Sequence, residues 1–506
     1  MRAAAELREF VRAAARTLAR ERDIAEFEIY AASAENRIAR LCHTSDIPCR
    51  GVEELKTLHA DGFQVRIVMR RDAHEIGTAH EAGDFSIAAL RAAIARARRA
   101  TVVDPHFPGL SAPAPKPPSA PTAHNDLSRA SDAALAQSAW RIIGGALGAF
   151  RKSAAARTES PGLVLGGDMS IIRDRIAIAN SNFPDLRIDE AAHFSSSVTA
   201  LVESLDAKGT SSALGASVAA LRGAAARLGR DAVNRALALA SGARPPSGSY
   251  RVIFGPQPVA EILNYMVMGS LTAGAFHTSS SAYHGRFGER VMDARLTLYD
   301  DPQAQAGAVR RRITCEGMPA RRVELIRAGR LAGLLSTIYD SHRLETDEAR
   351  GDKLGPLGGE AKFPPASGYR MGEGGGRRFD AHPSSAGTNV IMRARGGVSE
   401  REMIAAVGDG IYVGRVWYTY PINGQRAGDF TCTVSGDSYM IRDGKFAEPV
   451  APNSLRIDAN IAQVFDAPIA IGARPIPAIV WGASEAFYVP ALAVDAIALA
   501  AVGDGD

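Results

Sequence analysis

Apolar residues recur at short, strand-like spacing over residues 25–42 and 62–70, and a turn at 71–75 leads to a return strand near 76–81. Ser86 has the hydroxyl that a helix N-cap needs. Ile87, Leu90 and Ile94 follow it at helical spacing, ending on Arg96, Arg98 and Arg99. The pattern is a strand-hairpin-helix block behind a first helix over residues 1–23. Farther along it predicts a helix over 128–151 and a strand pair through 162–181, with Arg173-Asp174-Arg175 as the charged turn between its two halves. A Gly/Ser loop at 206–217 and a helix over 218–240 come next. That helix stops at Gly242, with Pro245 and Pro246 beyond it.

The second half opens on a strand at 250–254 and a helix at 258–269. Hairpins are expected at 322–335 around Ala328-Gly329 and at 439–446 around Asp443-Gly444. Seven prolines between 105 and 121 mark a linker or long surface loop, and 351–389, dominated by Gly, Pro and charge, reads as a long mobile loop of the kind that sits over clefts. The expected fold class is α+β. Residues 1–246 would form an N-terminal domain of antiparallel sheet and helices, and 247–506 a C-terminal domain built on an antiparallel sheet or barrel with flanking helices.

Composition narrows the function classes. The 506 residues are 46% apolar and 23% charged, which suits packed domains, and 59 Lys+Arg against 55 Asp+Glu leave +4, too little field to hold a nucleic acid backbone. Cys42, Cys49, Cys315 and Cys432 are too few and too scattered for a disulfide framework or paired-cysteine zinc site, and point to a reducing cytoplasm. The arginine- and alanine-rich start carries Glu6, Glu9, Glu21 and Asp23, unlike a transit peptide. Arg474, Glu485 and Asp495 interrupt the most apolar stretch, 467–502, below the ~20 residues of a membrane span.

Several motifs invite chemistry. His74-Glu75 and His80-Glu81 hold the residues of a zinc hydrolase, but a spacing of six turns the second imidazole away by about 240° on a helix, and the surroundings read as a hairpin. His277 and His284 bracket Ser279, Ser280 and Ser281 without the glycine-flanked elbow of a serine nucleophile. Arg310-Arg311-Arg312 reads as a solvated basic turn, and the glycines of 372–376 lack the Lys-Ser/Thr of a phosphate cradle.

Four ordered stretches resemble one family. They are VIFGPQPVAEILNYMVMGSLTAGAFHTSSSAYHGRFGERVMDARLTLYDD (252–301), GMPARRVELIRAGRLAGLLSTIYDSHRL (317–344), TNVIMRARGGVSEREMIAAVGDGIYV (388–413) and AGDFTCTVSGDSYMIRDGKF (427–446). The resemblance is to the TldD/PmbA proteins, also called modulators of gyrase. It implies a two-domain α+β protein that works as a dimer and has a peptide-binding cleft in its C-terminal domain. In the TldD-type subunit an HExxxH helix and a later cysteine hold zinc, and the glutamate activates the attacking water.

Laid on this chain, that motif falls on Asn264, Tyr265 and Gly269, and no cysteine follows Cys432. Asparagine is a poor zinc ligand, tyrosine is no carboxylate base and glycine has no side chain. The resemblance therefore implies the metal-free PmbA- or TldE-type subunit, without a cofactor of its own, paired with a zinc-bearing TldD-type peptidase that cleaves unstructured or leader peptides. A homodimer is also compatible with it. Gly428, Asp429 and Phe430 are the candidates for shaping the cleft; a tight turn with Phe430 in the core is the competing reading. Two other functions stay open: a peptidase whose metal site has moved to His277, His284 or Cys315, and a peptide-binding scaffold without a proteolytic partner.

Overall fold

The computed structural model describes residues 1–45, 51–72, 74–110, 126–157, 162–372 and 375–503. Its first sheet is made of β1 (Ile24–Thr44), β2 (Lys56–Met69), β3 (Glu75–Ala82), β4 (Val102–Val103), β5 (Leu163–Asn180), β6 (Phe183–Val202) and β7 (Ala207–Gly215), in the order 4-3-2-1-5-6-7 and antiparallel throughout. Successive side chains of a strand point to opposite faces, and here the two faces have different covers. Ile29, Phe63, Val65 and Ile67 pack under helices α1 (Ala4–Leu18) and α2 (Ile87–Arg99). Leu165, Ile171, Phe194 and Val198 pack under α3 (Asp132–Phe150) and α4 (Val218–Ala238). The alternate positions Tyr30, Ala32, Ile176 and Ile178 meet Ile313, Cys315 and Phe379 from the far half of the chain.

Three sequence expectations are corrected here. The charged triplet at 173–175 is no turn but the middle of the single strand β5, because each charge finds a partner: Arg173 reaches Glu35, Arg175 pairs with Glu190 at 2.8 Å, and Asp174 is buried against Arg377. The turn lies at Asn180, whose Oδ1 accepts from Asn182 N at 2.7 Å and Phe183 N at 3.1 Å. The Gly/Ser loop at 206–217 is mostly strand β7. Gly209 is small there because α4 crosses closely, and a Cβ would lie 2.2 Å from the backbone nitrogen of Ala236.

The third correction concerns 351–389. Its described residues form a helical turn (Arg350–Leu354), the short ribbon of β12 (Gly368–Tyr369) and β13 (Ser384–Ser385), and a packed connection in which Arg370 and Arg377 are wholly buried. Of the proline-rich stretch 105–121, only 105–110 falls within the described residues, and there Phe107 and Leu110 pack on Val68. Cys49 lies outside the described residues.

From residue 248 onward the chain builds two further sheets. A six-stranded sheet runs in the order 11-10-9-14-23-22: β9 (Leu296–Asp300), β10 (Val323–Arg327), β11 (Arg330–Leu331), β14 (Asn389–Ala394), β22 (Ile476–Ala478) and β23 (Ala486–Val489). A nine-stranded sheet curls into a half-barrel, in the order 16-17-20-24-8-15-18-19 with β21 beside β24. Its strands are β8 (Gly248–Phe254), β15 (Gly410–Val413), β16 (Arg415–Pro421), β17 (Asp429–Gly436), β18 (Tyr439–Arg442), β19 (Lys445–Pro449), β20 (Leu455–Asn460), β21 (Ala470–Ile471) and β24 (Leu492–Ala501). Pairing is antiparallel apart from β8 with β15 and β14 with β23. One large core joins both sheets through the helix that follows β8.

Candidate functional site

Gly255 and Pro256 start that helix, with proline at a position where its missing N–H costs nothing. The stretch is not the single helix expected at 258–269. It is α-helical as α5 (Pro256–Ile262), widens to a π turn at Leu263–Val267, tightens to a 3₁₀ turn at Met268–Leu271 and restarts as α6 (Ala273–His277) under the Thr272 cap. Ile262, Leu263, Met266 and Val267 are fully buried. The wide turn leaves backbone carbonyls to be satisfied from elsewhere. Gln425, from the connection between β16 and β17, supplies the donor: its Nε2 lies 2.5 Å from Met266 O.

The three positions on which the resemblance lays the metal motif, Asn264, Tyr265 and Gly269, lie on this irregular segment. Tyr265 donates its hydroxyl to the Trp481 carbonyl at 2.6 Å, and burial together with nearby Glu261 raises its pKa. Asn264 is half-buried, and Gly269 faces open space, where a Cβ would meet nothing closer than Gln425 Nε2 at 4.0 Å. An amide, a phenol committed to a carbonyl and a bare backbone do not make a zinc donor set. Among the described residues no three His, Cys, Asp or Glu side chains gather as a metal-holding group.

The relocated site fares no better. His277 Nδ1 sits 2.8 Å from Asp347, which also binds Lys353, and burial with Arg343 and Lys353 nearby lowers the imidazole pKa. His284 is held by Ser279 Oγ at 3.2 Å, and burial and Arg426 lower its pKa as well. Cys315 is in the core under the first sheet, where burial pushes its thiol to about 12. Ser281 is also consumed structurally, donating to Ser270 O at 2.8 Å.

Of the cleft candidates, Gly428 takes a left-handed turn at φ +75°. Asp429 is clamped by the amides of Asn423 (2.9 Å) and Asn460 (2.7 Å), which lower its pKa. Phe430 is fully buried in the core, so it supports the turn from behind. The His74 region is a hairpin with Glu75 on Arg71 and Glu81 on Arg96. The basic triplet departs from its expected role: Arg311 is 2% exposed over the Tyr369 ring, and Arg312 pairs with Asp189 at 3.0 Å.

Two features escaped the sequence reading. Glu261 is 3% exposed within α5 and accepts from Gln257 Nε2 at 2.9 Å; burial raises its carboxyl to about 7, against the pull of Arg415. A glutamate inside the apolar run Val259-Ala260-Glu261-Ile262-Leu263 was the available signal. The second feature is an aromatic margin. β16 is the outermost strand of its sheet; Trp417, Tyr418 and Tyr420 are exposed along it and Ile422 just past its end, with the Trp481 ring 6.0 Å from that of Trp417. The Trp481 carbonyl also accepts from the Tyr265 hydroxyl, so the irregular segment after α5 adjoins this exposed aromatic edge.

Residues 247–501 match the model described as the PmbA/TldA metallopeptidase C-terminal domain, and the chain belongs to this family. A protein called a metalloprotease from Methanothermobacter thermautotrophicus is 23% identical over 234 residues, 45% of this chain and 44% of that one, so the match spans less than half of that relative. The fold is similar to TldE from Thermococcus kodakarensis (TM-score 0.78, 15% identity, 98% of this chain and 100% of the other). It is also similar to a candidate modulator of DNA gyrase from Bacteroides thetaiotaomicron (0.72, 15%, 98% and 99%) and to one from Thermotoga maritima (0.70, 14%, 98% and 100%).

Proposed function

We propose that this chain is the metal-free subunit of a cytoplasmic peptidase, paired with a zinc-bearing TldD-type subunit that cleaves unstructured or leader peptides. The observation that carries the reading is the commitment of the motif positions to structure: Tyr265 is tied to Trp481, and the π turn is propped by Gln425. The partner would dock on the aromatic margin of β16 and Trp481, where large apolar groups lie exposed beside an unpaired strand edge. In support, the described helices include none long and apolar enough to cross a membrane.

The test is zinc content and casein cleavage by this chain alone, then mixed with the TldD-type protein of the same source. Cleavage by the mixture only is the expected result. Stoichiometric zinc and turnover in the isolated chain would refute the assignment.

A further inference from the structure

On its outer face the six-stranded sheet carries a cavity of about 710 Å³, within the range of small-ligand and peptide pockets. Its floor is formed by cross-strand neighbours: Tyr299 beside Ile391, Thr297 beside Arg393, and Arg295 beside Arg395, whose N–H donates to the Arg295 carbonyl at 2.9 Å. Arg322 closes one side, its guanidinium 3.7 Å from the centre of the Tyr299 ring. Like charges set side by side on a sheet destabilise it, yet four arginines line this cavity against one carboxylate, Asp301.

The four arginines are not equivalent. Arg295 is held by Asp293, with both nitrogen contacts at 2.9 Å, and Arg322 touches Glu324 at 3.2 Å. Arg393 and Arg395 are exposed and form no ion pair among the described residues. They stand two residues apart on β14 and just past its end, on one face, so their Cα atoms repeat at about 7 Å. An extended peptide with acidic residues at alternate positions presents carboxylates at the same repeat. Each guanidinium offers the planar fork that binds a carboxylate bidentately.

We infer that this cavity binds a short extended peptide segment bearing carboxylates at alternate positions. The inference rests on the peptidase-subunit reading, since it names a class of substrate segment that such a subunit would hold. A nucleic acid is disfavoured because the chain's net charge is only +4.

The experiment measures fluorescence anisotropy of a labelled peptide with glutamate at alternate positions on the full-length chain. The same peptide with glutamine at those positions, inorganic phosphate and a single-stranded oligonucleotide serve as comparators. The glutamate peptide should bind at least tenfold more tightly than the glutamine one and weaken with salt. The double substitution Arg393→Glu, Arg395→Glu should remove that preference at an unchanged melting temperature. Equal binding of the two peptides, or a preference that survives the double substitution, would overturn the inference. So would displacement by phosphate or oligonucleotide at concentrations like those of the acidic peptide. These readings need no partner subunit: failure of cleavage in the mixture with preserved acidic-peptide binding sinks the subunit reading alone.

Discussion

The molecule holds two sets of arginines in opposite circumstances. At the face of the first sheet Arg377 is fully buried between Asp174 (2.8 Å) and Asp189 (2.7 Å), and Arg370 meets Glu28 and Gln64. On the outer face of the six-stranded sheet Arg393 and Arg395 stand exposed with no ion pair among the described residues. The difference separates charge that holds the structure from charge that is free to meet a ligand. A buried guanidinium is tolerable only when carboxylates surround it, and removing it strands them. An exposed one can be reversed with little effect on folding.

The largest effect should come from Arg377→Ala. It leaves Asp174 and Asp189 buried and opposed by fewer cations, so urea denaturation should show a loss of about 3–5 kcal/mol. Adding Asp174→Asn to that variant should return part of the loss, and a full-size loss without that rescue would break the pairing account.

Glu261 extends the comparison to a carboxylate that is buried without an ion pair among the described residues. Its raised folded pKa means that the native state binds more protons than the unfolded one between about 4.5 and about 7. Stability from this group is therefore complete below that window and falls as pH rises through it. Glu261→Gln should flatten this part of the profile and gain up to about 3 kcal/mol relative to wild type near pH 8. Parallel profiles for the two proteins would remove Glu261 as the cause.

A smaller loss, about 1 kcal/mol, is expected for Tyr265→Phe, which deletes the hydroxyl bond to Trp481. Thermal melting should detect it, and zinc content should not change. At the bottom of the scale, Arg393→Glu with Arg395→Glu should stay within about 0.5 kcal/mol of wild type in urea. A loss as large as that of Arg377→Ala would place these arginines in the structural class and end the contrast.

Much of the fold was legible where local chemistry and final environment agree. Ser86 caps α2 through Ala89 N at 3.1 Å, and the turns Ala328-Gly329 and Asp443-Gly444 take positive φ at both residues, the geometry that closes a two-residue hairpin. What failed were places where distant partners override local preference. Nothing near Arg173-Asp174-Arg175 shows that Arg377 will bury the middle residue in a continuous strand. Gly375 and Gly376 read as looseness, yet at φ +84° and +81° they bring the chain against Ile172 and Asp174. The arginine cavity was invisible for the same reason, since Arg295 and Arg395 become neighbours only when β9 and β14 pair.

The clamp of Arg377 on Asp174 also has a consequence in time. The two residues are 203 positions apart in the chain. At roughly 5–20 residues per second, a ribosome that has made the aspartate needs on the order of 10–40 s more to make the arginine. For most of that interval Asp174, soon joined by Asp189, stands on a face whose cover is incomplete, since Arg312, Ile313 and Cys315 are made late in it and Arg377 and Phe379 at its end. The newborn first half must either keep that face wet or leave it unfinished, so final closure of the sheet belongs to the last part of synthesis.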